Sequence, residues 1–148
     1  MSLKNLLDKG VLKKHETNEK EIYDLFSIVD RDLEDAAVPN LSTDRRFAII
    51  YNAILQTVTA LLHCEGFRIG GYGHHANTFL FLKHYNKGEF QDEAAYFDQC
   101  RTKRNLTDYD YAGSISETEC EELLKEASQF IEKIKKILIE KYKKFYKG

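Results

Sequence analysis

Backbone breakers are scarce: one proline (Pro39) and eight glycines in 148 residues. That scarcity argues against a turn-rich β fold and favours long periodic segments. Cysteine is scarce too. Cys64, Cys100 and Cys120 are odd in number, widely spaced and without a CxxC pair. They suggest buried thiols in a reducing compartment, not a disulfide framework or a zinc site. The start, "MSLKNLLDKG", has no apolar h-region, and no apolar run approaches 18 residues. A cytoplasmic protein with neither signal peptide nor membrane span is therefore expected. Excess charge is also missing: the net value of -2 argues against coating nucleic acid by bulk electrostatics.

What is present reads as helix. Hydrophobic residues make up 43% and charged residues 31%, the usual balance of one soluble globular domain. The expected architecture is all-α, an up-and-down bundle of five or six helices spanning 1–148, with 1–17 a short N-terminal extension. Leu3 to Lys9 can form a short turn stopped by Gly10. Asn18 and Glu21 approximate a capping box, followed by Ile22, Leu25, Phe26, Val29 and Leu33 at helical spacing. Ser42 can cap a helix running to about Glu65, with Gly66 as its stop. That helix is apolar on nearly every face, so it belongs in the middle of the bundle. "RIGGYGHH" should be a flexible or tightly turned loop. Helices then follow from about His75 to Tyr85, from about Asp92 to Tyr109, and from the box Ser116-x-x-Glu119 past Ile139. No segment alternates long enough to predict a strand.

The densest chemistry lies in "RTKRNLTDYDY", Arg101 to Tyr111. Phe97 and Cys100 sit on an apolar stripe that continues, in steps of three and four, to Arg104, Thr107 and Tyr111. Arg104 therefore projects from a packing face, with Asp108 as a local partner one turn on. Arg101, Asn105 and Tyr109 form the adjoining row. Two readings stay open from spacing alone: an i,i+4 ion pair with two tyrosines closing the core, or one wall of a cleft.

From about Ser42 to Ile134 the chain resembles the HEPN family (higher eukaryotes and prokaryotes nucleotide-binding domain). The resemblance rests on the apolar helix "RRFAIIYNAILQTVTALLHCEGF", the loop "GGYGHH" and the motif "RTKRNLTDYDY". Toxin members of that family carry R-x4-H-x-Y. Here Arg104 and Asn105 match the arginine and its polar follower, Tyr109 stands at the histidine position, and Tyr111 matches the final tyrosine. The resemblance implies a homodimer with two motifs facing each other, and a small nucleotidyltransferase as partner in a toxin–antitoxin-like or defence system. It makes Arg104 and Tyr109 the catalytic candidates. Phosphate or nucleotide binding would fall to Arg101, Arg104, Asn105, Asp108, Tyr111, His74 and His75.

Tyrosine in place of histidine weighs against metal-independent RNA cleavage. A phenol titrating near pH ~10 is a poor proton carrier at neutral pH, whereas histidine titrates near ~6.5. Binding of RNA or a nucleotide is therefore the expected function, with an active endoribonuclease and a purely structural dimerisation domain as alternatives. His74 and His75 could restore acid–base chemistry if their loop folds over the cleft. Otherwise they serve loop packing or capping. No cofactor and no metal are expected: the adjacent histidines lack a nearby cysteine or acid triad. His63 could satisfy carbonyls at its helix end, and His15 and His84 carry no signal. Asn52 and Gln56 are either an internal hydrogen-bonded pair or part of the cleft wall. The seven lysines between Lys133 and Gly148, against Glu140 alone, read as a solvated helix face or a phosphate-binding patch.

Overall fold

The computed structural model describes residues 2–109 and 115–148, with side chains of the first segment described through Asn105. Among these residues the chain is a helical bundle, the expected all-α class. Its elements are α1 (Leu3–Asp8), β1 (Leu12–Lys14), α2 (Glu19–Ala36), α3 (Thr43–Cys64), β2 (Phe67–Ile69), α4 (His74–His84), α5 (Gln91–Tyr109) and α6 (Glu117–Lys141), with a 3-10 turn at Tyr85–Gly88.

The helix starts follow from local chemistry. The side chains of Asn18, Ser42 and Ser116 each accept a hydrogen bond from the backbone N–H three residues on, satisfying a donor that the first turn leaves open. At α6 the capping box is complete, with the Glu119 side chain accepting from Ser116 N–H. At α2 only half of it forms. Asn18 caps Glu21 N–H at 2.8 Å, but the Glu21 carboxylate turns to other partners.

Helix α3 occupies the centre, packing on α2, α4, α5 and α6. By length and composition it could cross a bilayer, but 67% of its most apolar window is buried inside the bundle. Its apolar character is explained by that position. Phe47, Ile50, Tyr51, Ile54, Val58 and Leu61 are each at most 1% exposed, and full burial of one such large side chain contributes roughly 1.5–3 kcal/mol. An aromatic cluster joins the other helices: Phe97 on α5 meets Phe130 on α6 edge-on at 5.0 Å and Phe79 on α4 at 6.2 Å. The three cysteines are buried and form no disulfide.

Two features depart from the sequence expectation. β1 and β2 pair antiparallel, Leu12 opposite Ile69 and Lys14 opposite Phe67. Strands of three residues are too short to show alternation, and their pairing is set by contacts across more than 50 residues of sequence. "RIGGYGHH" is therefore strand at Arg68 and Ile69, bends at Gly71 and Tyr72, and is helix from His74. A Cβ at Gly70 would lie 2.7 Å from the Gly10 carbonyl oxygen, so the close approach of the two chain segments beside the strand pair requires glycine there. The pairing also ties the N-terminal segment to the core, with Leu6 and Leu12 each 1% exposed.

Asn52 and Gln56 resolve as an internal pair. Gln56 Nε2 donates to Asn52 Oδ1 at 3.4 Å, and Asn52 Nδ2 donates to the buried Asp32 carboxylate at 2.7 Å. This network satisfies a carboxylate that α2 buries against α3. Two of the C-terminal lysines are paired: Lys135 with Asp30 at 3.8 Å and Lys133 with Glu93 at 3.6 Å.

Candidate nucleotide-binding site

The bundle places the C-terminal half of α5 beside the first turn of α4, with Tyr51 of α3 between them. Gly73 caps α4 in the left-handed conformation, φ 73°, which favours glycine. His74 and His75 are therefore the first two residues of the helix, rather than a free loop. His75 Nδ1 lies 3.0 Å from the Tyr51 hydroxyl. The Arg104 guanidinium lies over the Tyr51 ring, 5.7 Å from its centroid, a cation–π arrangement. Its Nη1 also donates to Asn105 Oδ1 at 3.5 Å. One turn back, Arg101 Nε donates to Asp98 Oδ1 at 2.8 Å.

Of the residues singled out from sequence, Arg101, Arg104, Asn105 and His75 thus gather around Tyr51, and His74 is exposed at the edge. The side chains of Asp108 and Tyr109, and all of Tyr111, lie outside the described residues, as does the Arg104–Asp108 pairing. Tyr51 and Asp98 were not anticipated. In the sequence, Tyr51 is one more residue of a helix that is apolar on nearly every face. The signal was its hydroxyl, which a fully buried tyrosine must hand to some partner. Asp98 precedes Arg101 by three positions, a helical neighbour as good as the i+4 acid.

Electrostatics bind the group together. Burial pushes the Tyr51 phenol well above its usual range, against the opposing fields of Arg104 and Arg101. The hydroxyl therefore stays protonated and can donate to Nδ1 of a neutral His75, leaving the ring proton on Nε2. Burial first, then Arg104, Arg101 and His74, lower the His75 pKa. The sign of the consequence is fixed: a histidine harder to protonate in the folded state costs no stability above its unfolded pKa of about 6.5. Stability falls as pH drops through that value and continues to fall until the folded midpoint is passed. A proton-NMR titration of His75 should give a midpoint below about 6.5, and Arg104→Gln should raise it. An unchanged midpoint in that variant would remove Arg104 from the His75 environment.

The arrangement offers an anion two guanidinium groups on one helix, an imidazole N–H on the facing helix, and an amide beside them. Guanidinium suits phosphate because its planar N–H pairs match two oxygens at once. Comparison with protein-family models, curated proteins and solved structures finds no match for this chain.

Proposed function

We propose that this protein is a HEPN-type module that binds RNA or a nucleotide through the phosphate group. The observation that carries the reading is the meeting of Arg104 and His75 at Tyr51, the guanidinium over its ring and the imidazole at its hydroxyl, with Arg101 one turn away on α5. Arg104 and Arg101 supply charge and bidentate hydrogen bonds, and Asn105 can read a base edge or a ribose. Dimerisation with the motifs facing each other would bring four arginines to one cleft and offset the near-neutral net charge. A small nucleotidyltransferase is the proposed partner, in a toxin–antitoxin-like or defence pair, with Tyr111 as the residue it would modify. The test is binding of a labelled single-stranded RNA and of a nucleoside monophosphate to wild type and to Arg104→Ala. For the partner, the test is nucleotide mass gained on Tyr111 when the protein is mixed with ATP and a small nucleotidyltransferase from the same genome.

A second reading, a metal-independent endoribonuclease, is favoured by one observation. His75 is hydrogen-bonded to the Tyr51 hydroxyl within the field of Arg104, where it could take the proton-transfer role that Tyr109 fills poorly. It predicts RNA cleavage that both His75→Asn and Arg104→Ala abolish.

A further inference from the structure

Outside the Arg104 site, three ligand-bearing side chains from separate elements converge. His15 follows β1 and is held by its own N–H donating to the Gly66 carbonyl at 2.8 Å. Glu21 stands in the first turn of α2, its carboxylate left over from the half-formed capping box. His63 lies in the last turn of α3. Its Nδ1 approaches Glu21 Oε1 at 2.7 Å, so it does not cap helix carbonyls as the sequence suggested. His15 Nε2 meets the same oxygen at 2.6 Å, and the Thr17 hydroxyl donates to it at 2.8 Å. The two imidazole rings lie 4.3 Å apart.

We propose that His15, Glu21 and His63 form a binding site for a divalent first-row transition ion, with Zn2+ the ion that this donor set suits. Two neutral imidazoles and one carboxylate are a common zinc ligand set with a fourth position left open. The three ligand atoms all lie within 4.8 Å of one another. Zinc at about 2.0–2.2 Å from each ligand sets them about 3.3–3.5 Å apart. Glu21 Oε1 must therefore withdraw from each ring by about 0.7 Å, a movement open to a half-buried side chain with three torsions. Each ring would bind through a lone pair. The hydrogen that His15 Nε2 now shares with Oε1 would sit on Nδ1, and His63 would carry its hydrogen on Nε2. The open position would face a cavity of about 480 Å³ that His15 and His63 line together with Thr17, Glu65 and Tyr142. That cavity gives an ion a way in and leaves room for a water ligand. The bound ion would fasten the end of β1, the start of α2 and the end of α3.

No ligand spacing announces this site, because its members come from positions 15, 21 and 63. That is why the sequence carried no metal expectation.

The test is a Zn2+ titration of the tag-free full chain against a chromophoric chelator. It should be run beside His15→Asn/His63→Asn and beside Glu21→Gln, which can still hydrogen-bond both rings. Wild type should take up one equivalent at micromolar concentration, and each variant should bind at least about tenfold more weakly. Zn2+ should raise the melting midpoint of wild type and leave that of the variants unmoved. The proposal is overturned if wild type binds no Zn2+ under these conditions. It is equally overturned if the folded variants bind with wild-type affinity, which would place the ion elsewhere. Should the double variant fail to fold, Glu21→Gln decides the matter alone. The result is independent of RNA binding, which involves none of these residues.

Discussion

Phe97→Ala is expected to cost about 3–5 kcal/mol of stability. Phe97 is fully buried, and its ring touches Phe79, Tyr96 and Phe130 at centroid distances of 6.2, 5.7 and 5.0 Å. Removing it deletes the ring that α4, α5 and α6 share, and leaves a cavity that stiff neighbouring aromatics cannot fill. Against a typical total of about 5–15 kcal/mol, that loss is a large fraction. The site should suffer with it, because Phe97 holds the helix that carries Arg101 and Arg104. Denaturant unfolding followed by circular dichroism checks the value. A loss below about 1 kcal/mol would mean that the core repacks there, and that α5 is not anchored through this ring.

Arg104→Ala is expected to weaken RNA or nucleotide binding by about 10- to 100-fold. A hydrogen bond to a charged group contributes about 1.5–3 kcal/mol, and about 1.4 kcal/mol is tenfold in affinity. Arg104 sits over the Tyr51 ring rather than in open water, so its guanidinium is already oriented and little side-chain freedom remains to be lost on binding. Removing one phosphate contact should also flatten the salt dependence, lowering the slope of log affinity against log salt by about 0.7 for a single strand. Arg101→Ala should do less, since Asp98 holds that guanidinium at 2.8 Å and offsets its charge. Filter-binding or polarisation titrations at several salt concentrations measure both quantities. If Arg104→Ala shifted the melting midpoint or the dimer equilibrium while leaving affinity intact, the purely structural reading would stand instead.

How much was legible in advance depended on whether the cause was local. The caps at Asn18, Ser42 and Ser116 and the apolar girth of α3 are properties of a few neighbouring residues, so the helices and their class could be read directly. The three-residue strand pair could not, since neither strand carries a pattern and each depends on a partner more than 50 positions away. The candidate site divides the same way. Arg101, Arg104 and Asn105 share one helix and their common face follows from its period. Tyr51 and His75 reach that face only through tertiary packing, from positions 51 and 75. Glu21 is the instructive intermediate: its spacing from Asn18 predicted a capping box, and the unused half of that box marks where its carboxylate went.

The most direct measurement is an NMR titration of wild-type protein with a short single-stranded RNA, followed through the His75 ring resonances. A phosphate bound between Arg104 and His75 should move those resonances and raise the His75 pKa, because an anion beside the ring favours its protonated form. Saturable binding that leaves His75 unmoved, or no binding at all, would contradict the site described here.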